Sequence, residues 1–234
     1  MKIDIWSDIR CPFCYIGKRN FEAALAKFPH KEQITVNWKS FELDPNIQTQ
    51  PHTDYIEYFM ESKGVGQERA LDRIDTVTHI ASDAGLNFNL QKIKIANSLK
   101  AHRLLHYAKQ FNKAAVLKEA LLKAYLEDGK NIDDIDVLVS LAAEQGLEKN
   151  LVKAMLASED YTNAVRQDQL NGRKLGVTGV PFFVLDSTYG ISGAQPQSVF
   201  TEALESAWKQ HQPEKITLLD TENQNTCDLD GNCH

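Results

Sequence analysis

Two cysteines stand near the start of the chain, Cys11 and Cys14, with Pro12 and Phe13 between them. Thiols at this spacing suit three roles: a disulfide-exchange centre, half of a metal site, or simple packing of small apolar side chains. An exchange centre needs one thiol that ionises near neutral pH, because the thiolate is the attacking species. The spacing alone leaves all three roles open.

The residues around this pair predict a strand followed by a helix. Residues 2–7, KIDIWS, are rich in β-branched and aromatic side chains, which is typical of a strand. Apolar residues then recur at helical spacing, and Pro12 suits a first helical turn, where its missing N–H needs no partner. Cys11 is thus expected at a helix N-terminus, which favours a negative charge. We expect Cys11 to be the nucleophile with a lowered pKa, and Cys14 to be the resolving thiol.

The rest of the chain predicts one more strand, a long helical block and a late return of sheet. Residues 33–43 alternate polar and apolar side chains, which indicates a second strand, parallel to the first. Residues 53–175 carry successive amphipathic helical patterns. Residues 180–186 and 189–193 predict a hairpin that lacks the usual turn glycine, and a last amphipathic helix follows Pro196. We therefore predict an α/β fold with an all-helical insertion.

Charge and composition limit the classes of function. The net charge of −6 argues against a general nucleic-acid binder, which needs a concentrated basic surface. No stretch approaches the ~18 apolar residues of a membrane span, and the start lacks the apolar segment of a signal peptide. We therefore expect a cytoplasmic protein that does not enter the membrane. In a reducing cytosol the four cysteines indicate redox catalysis or metal binding rather than structural disulfides.

Three motifs carry a resemblance to a known family. They are CPFC after the first strand, NSLKAHRLLHYAK at 97–109 and, most specifically, GVTGVPFFVLDSTYGISGAQP at 176–196. With these motifs the chain resembles the DsbA-like thioredoxin superfamily, and within it the FrnE-type oxidoreductases, over essentially its whole length. The resemblance implies thiol–disulfide exchange with protein substrates, with no resident cofactor or metal and with glutathione as a candidate reductant or co-substrate.

The resemblance also implies a domain organisation. A thioredoxin-like fold would be split by the helical domain into a β-α-β half and a β-hairpin-helix half. The predicted units are the first half at 1–44, the inserted helical domain at 45–175, the second half at 176–211 and a C-terminal tail at 212–234.

In this fold a cis-proline loop lies beside the C-x-x-C pair, and the backbone of the residue before the proline pairs with the substrate's extended chain. Val180 and Pro181 are therefore expected to contact substrate, together with Pro12 and Phe13, and to be joined by a cis bond. Phe13 cannot hydrogen-bond to a sulfur as a histidine could. We expect it to leave the thiolate less stabilised than in the most oxidising members of the superfamily.

Four other residues are weaker candidates. Asp8 could accept a proton or cap the coming helix, and capping is favoured. His102 and His106, four residues apart, could face one metal ion, but packing or exposure to solvent is favoured without a third ligand. Arg103 is expected to pair with a carboxylate or to contact substrate, and no metal site is predicted.

A second cysteine pair, Cys227 and Cys233, lies in the polar tail with five residues between the two thiols. It could form a disulfide that exchanges with Cys11 and Cys14, form a plain tail disulfide, or bind zinc.

Two alternative functions remain open. The kappa-class glutathione transferases and the 2-hydroxychromene-2-carboxylate isomerases have a similar fold, but they characteristically use a serine where this chain has Cys11. A non-enzymatic zinc site closed by all four cysteines would explain the two pairs. It would not explain Pro12 or the Val180–Pro181 motif.

Overall fold

A mixed sheet carries the predicted strand–helix–strand unit. The computed structural model of the protein describes residues 1–211. Its strands are β1 (Lys2–Ser7), β2 (Thr35–Ser40), β3 (Phe182–Leu185) and β4 (Tyr189–Ser192). They lie in the order β2-β1-β3-β4, with β1 parallel to β2 and antiparallel to β3, and β3 antiparallel to β4. The central position of β1 joins two segments of chain that the helical insertion separates.

Two helices cover one face of this sheet. They are α1 (Pro12–Lys27) and α9 (Gln197–His211), which pack against each other. The rings of Phe21, Phe183 and Phe200 meet there, with centroids 4.7 to 5.8 Å apart. Burying each such side chain stabilises the fold by about 1.5–3 kcal/mol. This core fixes α1, and with it the position of both N-terminal cysteines.

The segment between β2 and β3 is helical, as predicted. Its helices are α2 (Tyr55–Lys63), α3 (Gln67–Asp83), α4 (Leu99–Lys109), α5 (Ala114–Leu126), α6 (Ile135–Glu144), α7 (Lys149–Ala157) and α8 (Thr162–Lys174). The apolar faces of α2 to α7 form one core that also takes in Ile9, Tyr15 and Ile16 from the start of α1 and the turn before it. The helical domain thus packs directly against the segment that carries Cys11 and Cys14.

A buried carboxylate joins the sheet to the helical domain. Asp168 on α8 accepts a hydrogen bond from the backbone N–H of Ser40 at 2.9 Å, and its Oδ2 lies 3.2 Å from Nε2 of His106 on α4. The Trp6 indole donates to the backbone carbonyl of Asp168 at 2.8 Å. Gly172 lies against the same indole, so closely that an added Cβ would fall 2.7 Å from Nε1.

Two predicted details needed correction or explanation. The second strand, β2, is shorter than the predicted 33–43. The chain leaves the sheet after Ser40, and the backbone N–H of Leu43 donates a hydrogen bond to the carboxylate of Asp8 instead of to a neighbouring strand. The hairpin turns without glycine because Asp186 and Ser187 both adopt positive φ, at 48° and 58°. Short polar side chains tolerate this conformation better than most.

Cys227 and Cys233 lie outside the described residues. Within residues 1–211, no helix is both long and apolar enough to cross a membrane.

Candidate active site

Cys11 occupies the junction between β1 and α1. It is the residue immediately before the helix, with extended backbone angles, and Pro12 takes the first helical position as predicted. The backbone N–H of Cys14 donates to the Cys11 carbonyl at 3.0 Å, which starts the first turn. Both residues are free thiols, 5% exposed at Cys11 and 1% at Cys14. Both thiols are therefore buried, but Cys11 lines an open pocket and Cys14 does not.

The Val180–Pro181 segment meets Cys11 across the fold. The peptide bond between these residues is cis, as expected. The Cys11 sulfur lies 3.4 Å from the Val180 carbonyl oxygen. Gly17 on α1 permits this approach, because an added Cβ would lie only 2.9 Å from Cγ of Pro181. Two motifs 169 residues apart thus form one site.

The two thiols are hydrogen-bonded to each other and shift each other's pKa in opposite directions. The hydrogen bond with Cys14, together with burial, raises the pKa of the Cys11 thiol. Burial also acts to raise the pKa of Cys14, but the bond from Cys11 and the positive charge of Lys118 outweigh it and lower that pKa. The pair thus favours a single negative charge, which the two sulfurs share through their hydrogen bond. The prediction of a lowered pKa at Cys11 is wrong, since it considered only the helix N-terminus.

Lys118 is the residue that the sequence reasoning missed. It lies on α5 and is 1% exposed, with its ammonium 5.5 Å from the centroid of the Trp38 ring on β2. Burial lowers the pKa of Lys118 to about 8, while the nearby charges of Cys14 and Asp8 act to raise it. A lysine buried this deeply is rare and indicates a functional role. The only signal in the sequence was its place inside an otherwise apolar helical pattern.

Asp8 and His102 form a buried pair beneath the site. Both side chains are fully buried, with Oδ1 of Asp8 3.4 Å from Nε2 of His102. Asp8 also accepts from the backbone N–H groups of Arg10 at 3.2 Å and Leu43 at 2.9 Å. Burial acts to raise the pKa of Asp8, but these partners hold it well below its usual range. The prediction that Asp8 caps α1 is wrong, because its carboxylate turns instead towards the helical domain and the segment after β2.

Arg103 does not lie at this site. Its guanidinium donates to the backbone carbonyls of Met155, Ser158 and Asp160, which holds the end of α7 and the turn after it. The prediction that it pairs with a carboxylate or contacts substrate therefore finds no support in its position. His106 faces Asp168 while His102 faces Asp8, and residues 1–211 contain no cluster of side chains suited to a metal ion.

A pocket of about 780 Å³ opens beside Cys11, between the start of α1 and helices α2, α3 and α5. Cys11, Pro12 and Phe13 form its reactive edge, and Phe13 is 41% exposed. Aromatic side chains form much of the wall, namely Tyr55, Tyr58, Phe59 and Tyr125. This arrangement allows a substrate sulfur to reach Cys11 while an apolar group beside that sulfur is buried against the aromatic wall.

The chain is similar to several proteins along most of its length. The uncharacterized protein YwbO of Bacillus subtilis is 28% identical over 211 residues, which cover 88% of this chain and 97% of YwbO. The crystal structure of a probable DsbA oxidoreductase from Streptomyces coelicolor is 39% identical, with a TM-score of 0.87 over 100% of this chain and 98% of that one.

The cytosolic disulfide reductase DsbM from Pseudomonas aeruginosa shares the fold, at 18% identity and a TM-score of 0.62 over 90% of this chain and all of its own, and has also been solved with GSH. A family model described as the DSBA-like thioredoxin domain matches residues 2–205. With its cysteine pair at the start of α1 and the cis-proline loop beside it, this chain belongs to the DSBA-like thioredoxin domain family.

Proposed function

We propose that this protein is a thiol–disulfide oxidoreductase in which Cys11 and Cys14 exchange disulfides with protein substrates. One observation carries the proposal: Cys11 lies at the start of α1, 3.4 Å from the Val180 carbonyl and on the edge of an open pocket. Cys14 lies behind it, within hydrogen-bond reach of the same sulfur. This placement suits a thiol that meets the substrate and a second thiol that resolves the product.

In the reducing direction, the Cys11 sulfur attacks one sulfur of a substrate disulfide. A mixed disulfide forms and the other substrate sulfur leaves as a thiolate. The Cys14 sulfur then attacks the Cys11 sulfur, which closes the Cys11–Cys14 disulfide and releases the second substrate thiol. Two electrons have passed to the substrate, and an external dithiol or two glutathione molecules must reduce the pair again. The reverse sequence oxidises a substrate dithiol.

The opposite pKa shifts of the two thiols suit this order of steps. The Cys11 proton passes along the hydrogen bond to the Cys14 sulfur, so that Cys11 carries the charge when it attacks. Once Cys11 is tied up in the mixed disulfide, Cys14 must ionise again. The buried ammonium of Lys118 favours that second thiolate.

Substrate contacts follow from the edges of the site. The Val180 carbonyl faces one side of the Cys11 sulfur, the ring of Pro181 packs against Gly17 on α1, and Pro12 and Phe13 line the pocket. We propose that an extended substrate segment runs along the Val180–Pro181 backbone and that Phe13 contacts the residue next to the reacting cysteine.

The test is to trap the mixed disulfide. In a Cys14→Ser variant the intermediate cannot be resolved, so a covalent complex with a disulfide-bonded substrate protein should accumulate on a non-reducing gel. The Cys11→Ser variant should form no such complex and should lose turnover. A Cys11→Ser variant that turns over at the wild-type rate would refute the assignment of the attacking sulfur.

The finer assignment concerns the FrnE type and the tail. We propose that Cys227 and Cys233 exchange electrons with the first pair and that the protein works in a reducing cytoplasm. An equilibrium redox titration of the wild type beside the Cys227→Ser/Cys233→Ser variant tests the exchange. Two distinguishable transitions in the wild type and one in the variant are expected, whereas one potential shared by both proteins would make the tail irrelevant to the active centre.

A glutathione-dependent transferase or isomerase is the second candidate. The pocket beside Cys11 favours it, because its volume of about 780 Å³ would admit a tripeptide thiol together with a small apolar substrate. Glutathione conjugation or isomerase turnover that survives replacement of both Cys11 and Cys14 by serine would support this candidate over disulfide exchange.

A further inference from the structure

The pocket beside Cys11 carries an excess of positive charge. Among the described residues that line it, three are basic, Arg10, Lys63 and Arg73, and one is acidic, Asp44. Lys63 and Arg73 are exposed at the mouth, where α2 ends and α3 passes. Arg10 immediately precedes Cys11 and is half-buried. A ligand that enters this pocket therefore meets a positive electrostatic field close to the Cys11 sulfur.

The Arg10 guanidinium has unused hydrogen-bonding capacity. Its Nε and Nη1 atoms are buried and have no hydrogen-bond partner within residues 1–211. The carboxylate of Asp8, whose charge acts on Arg10, has its oxygens engaged by two backbone N–H groups and by His102. The Tyr125 hydroxyl is hydrogen-bonded to the Arg10 side chain, but it is uncharged, and burial raises its pKa further above neutral, so it does not balance the charge of Arg10. Buried donors without acceptors are uncommon in folded proteins, and a carboxylate is the acceptor that suits a guanidinium best.

The walls of the pocket define the rest of the ligand. Tyr55, Tyr58, Phe59 and the exposed ring of Phe13 offer aromatic faces around the charged group. Burial raises the pKa of Tyr55 to about 12, so its hydroxyl is a neutral donor. Such a surface suits a bulky apolar side chain that lies next to an anionic one.

We propose that this pocket selects protein substrates whose reacting cysteine is flanked by an acidic residue and a bulky apolar residue. The inference rests on the proposed exchange function and names its substrate class. The substrate carboxylate pairs with Arg10 in a partly desolvated position, where a charge-assisted hydrogen bond is stronger than in water. Lys63 and Arg73 speed the approach of acidic segments by electrostatic steering, which salt screens.

The experiment compares peptides that differ in one residue. Each peptide contains one internal disulfide with Glu-Leu, Gln-Leu or Lys-Leu directly after the first cysteine. The rate constant for oxidation of the reduced full-length protein is measured for each peptide. The wild type should react about tenfold faster with the Glu peptide than with the Gln peptide, as expected for ~1.4 kcal/mol from one charge-assisted bond, and slowest with the Lys peptide. Added salt should reduce the preference.

Four variants assign the preference to residues. Arg10→Gln should abolish it, and Arg10→Lys, which keeps a point charge, should retain part of it. Arg73→Gln should weaken it by about twofold, in line with a steering role for an exposed charge. Arg173→Gln is the matched control, because this exposed arginine on α8 does not line the pocket beside Cys11. If Arg10→Gln fails to fold, the rates of the wild type with the three peptides and the rates of Arg73→Gln still test the proposed preference.

Two small disulfides show whether the carboxylate must belong to a peptide, and whether a negative result refutes the substrate preference or the exchange function itself. Hydroxyethyl disulfide is uncharged and reports basal exchange, and its dicarboxylate analogue carries the anion without a peptide. If all three peptides react at equal rates while exchange with hydroxyethyl disulfide persists, the inference is overturned. A carboxylate preference that is seen only with the small disulfides also overturns it. Loss of exchange with every disulfide instead refutes the proposed function.

Discussion

The two sides of the active site differ in where their residues lie along the chain. The thioredoxin-like side supplies the reacting sulfurs and the Val180–Pro181 backbone that faces them. The helical side supplies Lys118 behind Cys14 and most of the aromatic wall of the pocket, whereas Arg10 and Phe13 come from the thioredoxin-like side. The comparison teaches that the proposed exchange centre and part of its electrostatic setting come from different parts of the fold. Each part can therefore be changed while the other is left in place.

Asp8 is where the two sides meet, and its loss should have the largest effect. Asp8→Asn leaves the buried His102 without its charged partner and should lower the free energy of unfolding by about 3–5 kcal/mol. Because the pKa of Asp8 is depressed, its contribution is present above the usual aspartate range and is lost as the pH falls. Urea unfolding at neutral and acidic pH measures both effects.

The matched control for Asp8 is Asp54→Asn, because Asp54 caps α2 on the surface. Asparagine is about as good a cap as aspartate, so this change should alter stability by less than about 0.5 kcal/mol. An Asp8→Asn protein that is as stable as the Asp54→Asn protein would show that Asp8 does not join the two sides.

A change at Gly17 should disturb the thioredoxin-like side alone. In Gly17→Ala the new methyl group meets Cγ of Pro181 and must displace the loop that faces Cys11. We expect a loss of about 1–3 kcal/mol in stability from overpacking, with slower disulfide exchange. Gly66→Ala is the control, since nothing lies within 4 Å of the new methyl group there. Equal exchange rates in the two variants would contradict the close approach of Gly17 to the loop.

A change at Lys118 should disturb the helical side alone. Lys118→Met removes the buried charge that lowers the pKa of Cys14, so the lower thiol pKa of the pair should rise by about one unit, or ~1.4 kcal/mol. Lys118→Arg keeps the positive charge and should therefore retain most of the lowering of the thiol pKa. The ultraviolet absorbance of the thiolate against pH measures the shift.

Lys113→Met removes an exposed charge at the start of the same helix and serves as the control. It should leave the thiol titration unchanged. If the thiols of the Lys118→Met protein titrate like those of the Lys113→Met protein, Lys118 does not influence the pKa of the cysteine pair.

The smallest effect is expected at the ion-pair network between α1 and α5. Burial acts to raise the pKa of Glu119, but its bonds from Arg19, Lys18 and Tyr15 lower that pKa to about 2. Because the group is partly exposed, Glu119→Gln should cost only about 1 kcal/mol. The wild-type advantage should be complete above about pH 4.5 and lost as the pH falls towards 2, as measured by unfolding at several pH values. An advantage that grows on acidification would contradict this sign.

The thioredoxin-like side was largely predictable because its signals are local. β-Branched and aromatic side chains marked β1 and the proline after Cys11 marked the start of α1, whereas the cis loop at Val180–Pro181 was expected from the family resemblance. The all-helical character of the insertion also followed from periodicity. These features depend on neighbours within one or two turns, which a single sequence records.

The helical side could not be predicted in the same way. Lys118 lies roughly a hundred residues from the cysteines, and Asp8 finds its partner His102 across 94 residues. Helical periodicity says which face of α5 is apolar, but not that the face turned towards the thiols includes a lysine. The opposite pKa shifts of Cys11 and Cys14 were missed because the helix N-terminus was considered alone, without the hydrogen bond between the two thiols and the charge of Lys118 from a distant helix.

The most direct test of the roles of the two sulfurs is alkylation of the reduced full-length protein with a limiting amount of a thiol reagent, read by mass spectrometry. The placement of Cys11 at the pocket edge predicts that it takes nearly all of the label within this pair, although Cys14 has the lower pKa. Preferential labelling of Cys14 in the folded protein would contradict the assignment of Cys11 as the sulfur that meets the substrate.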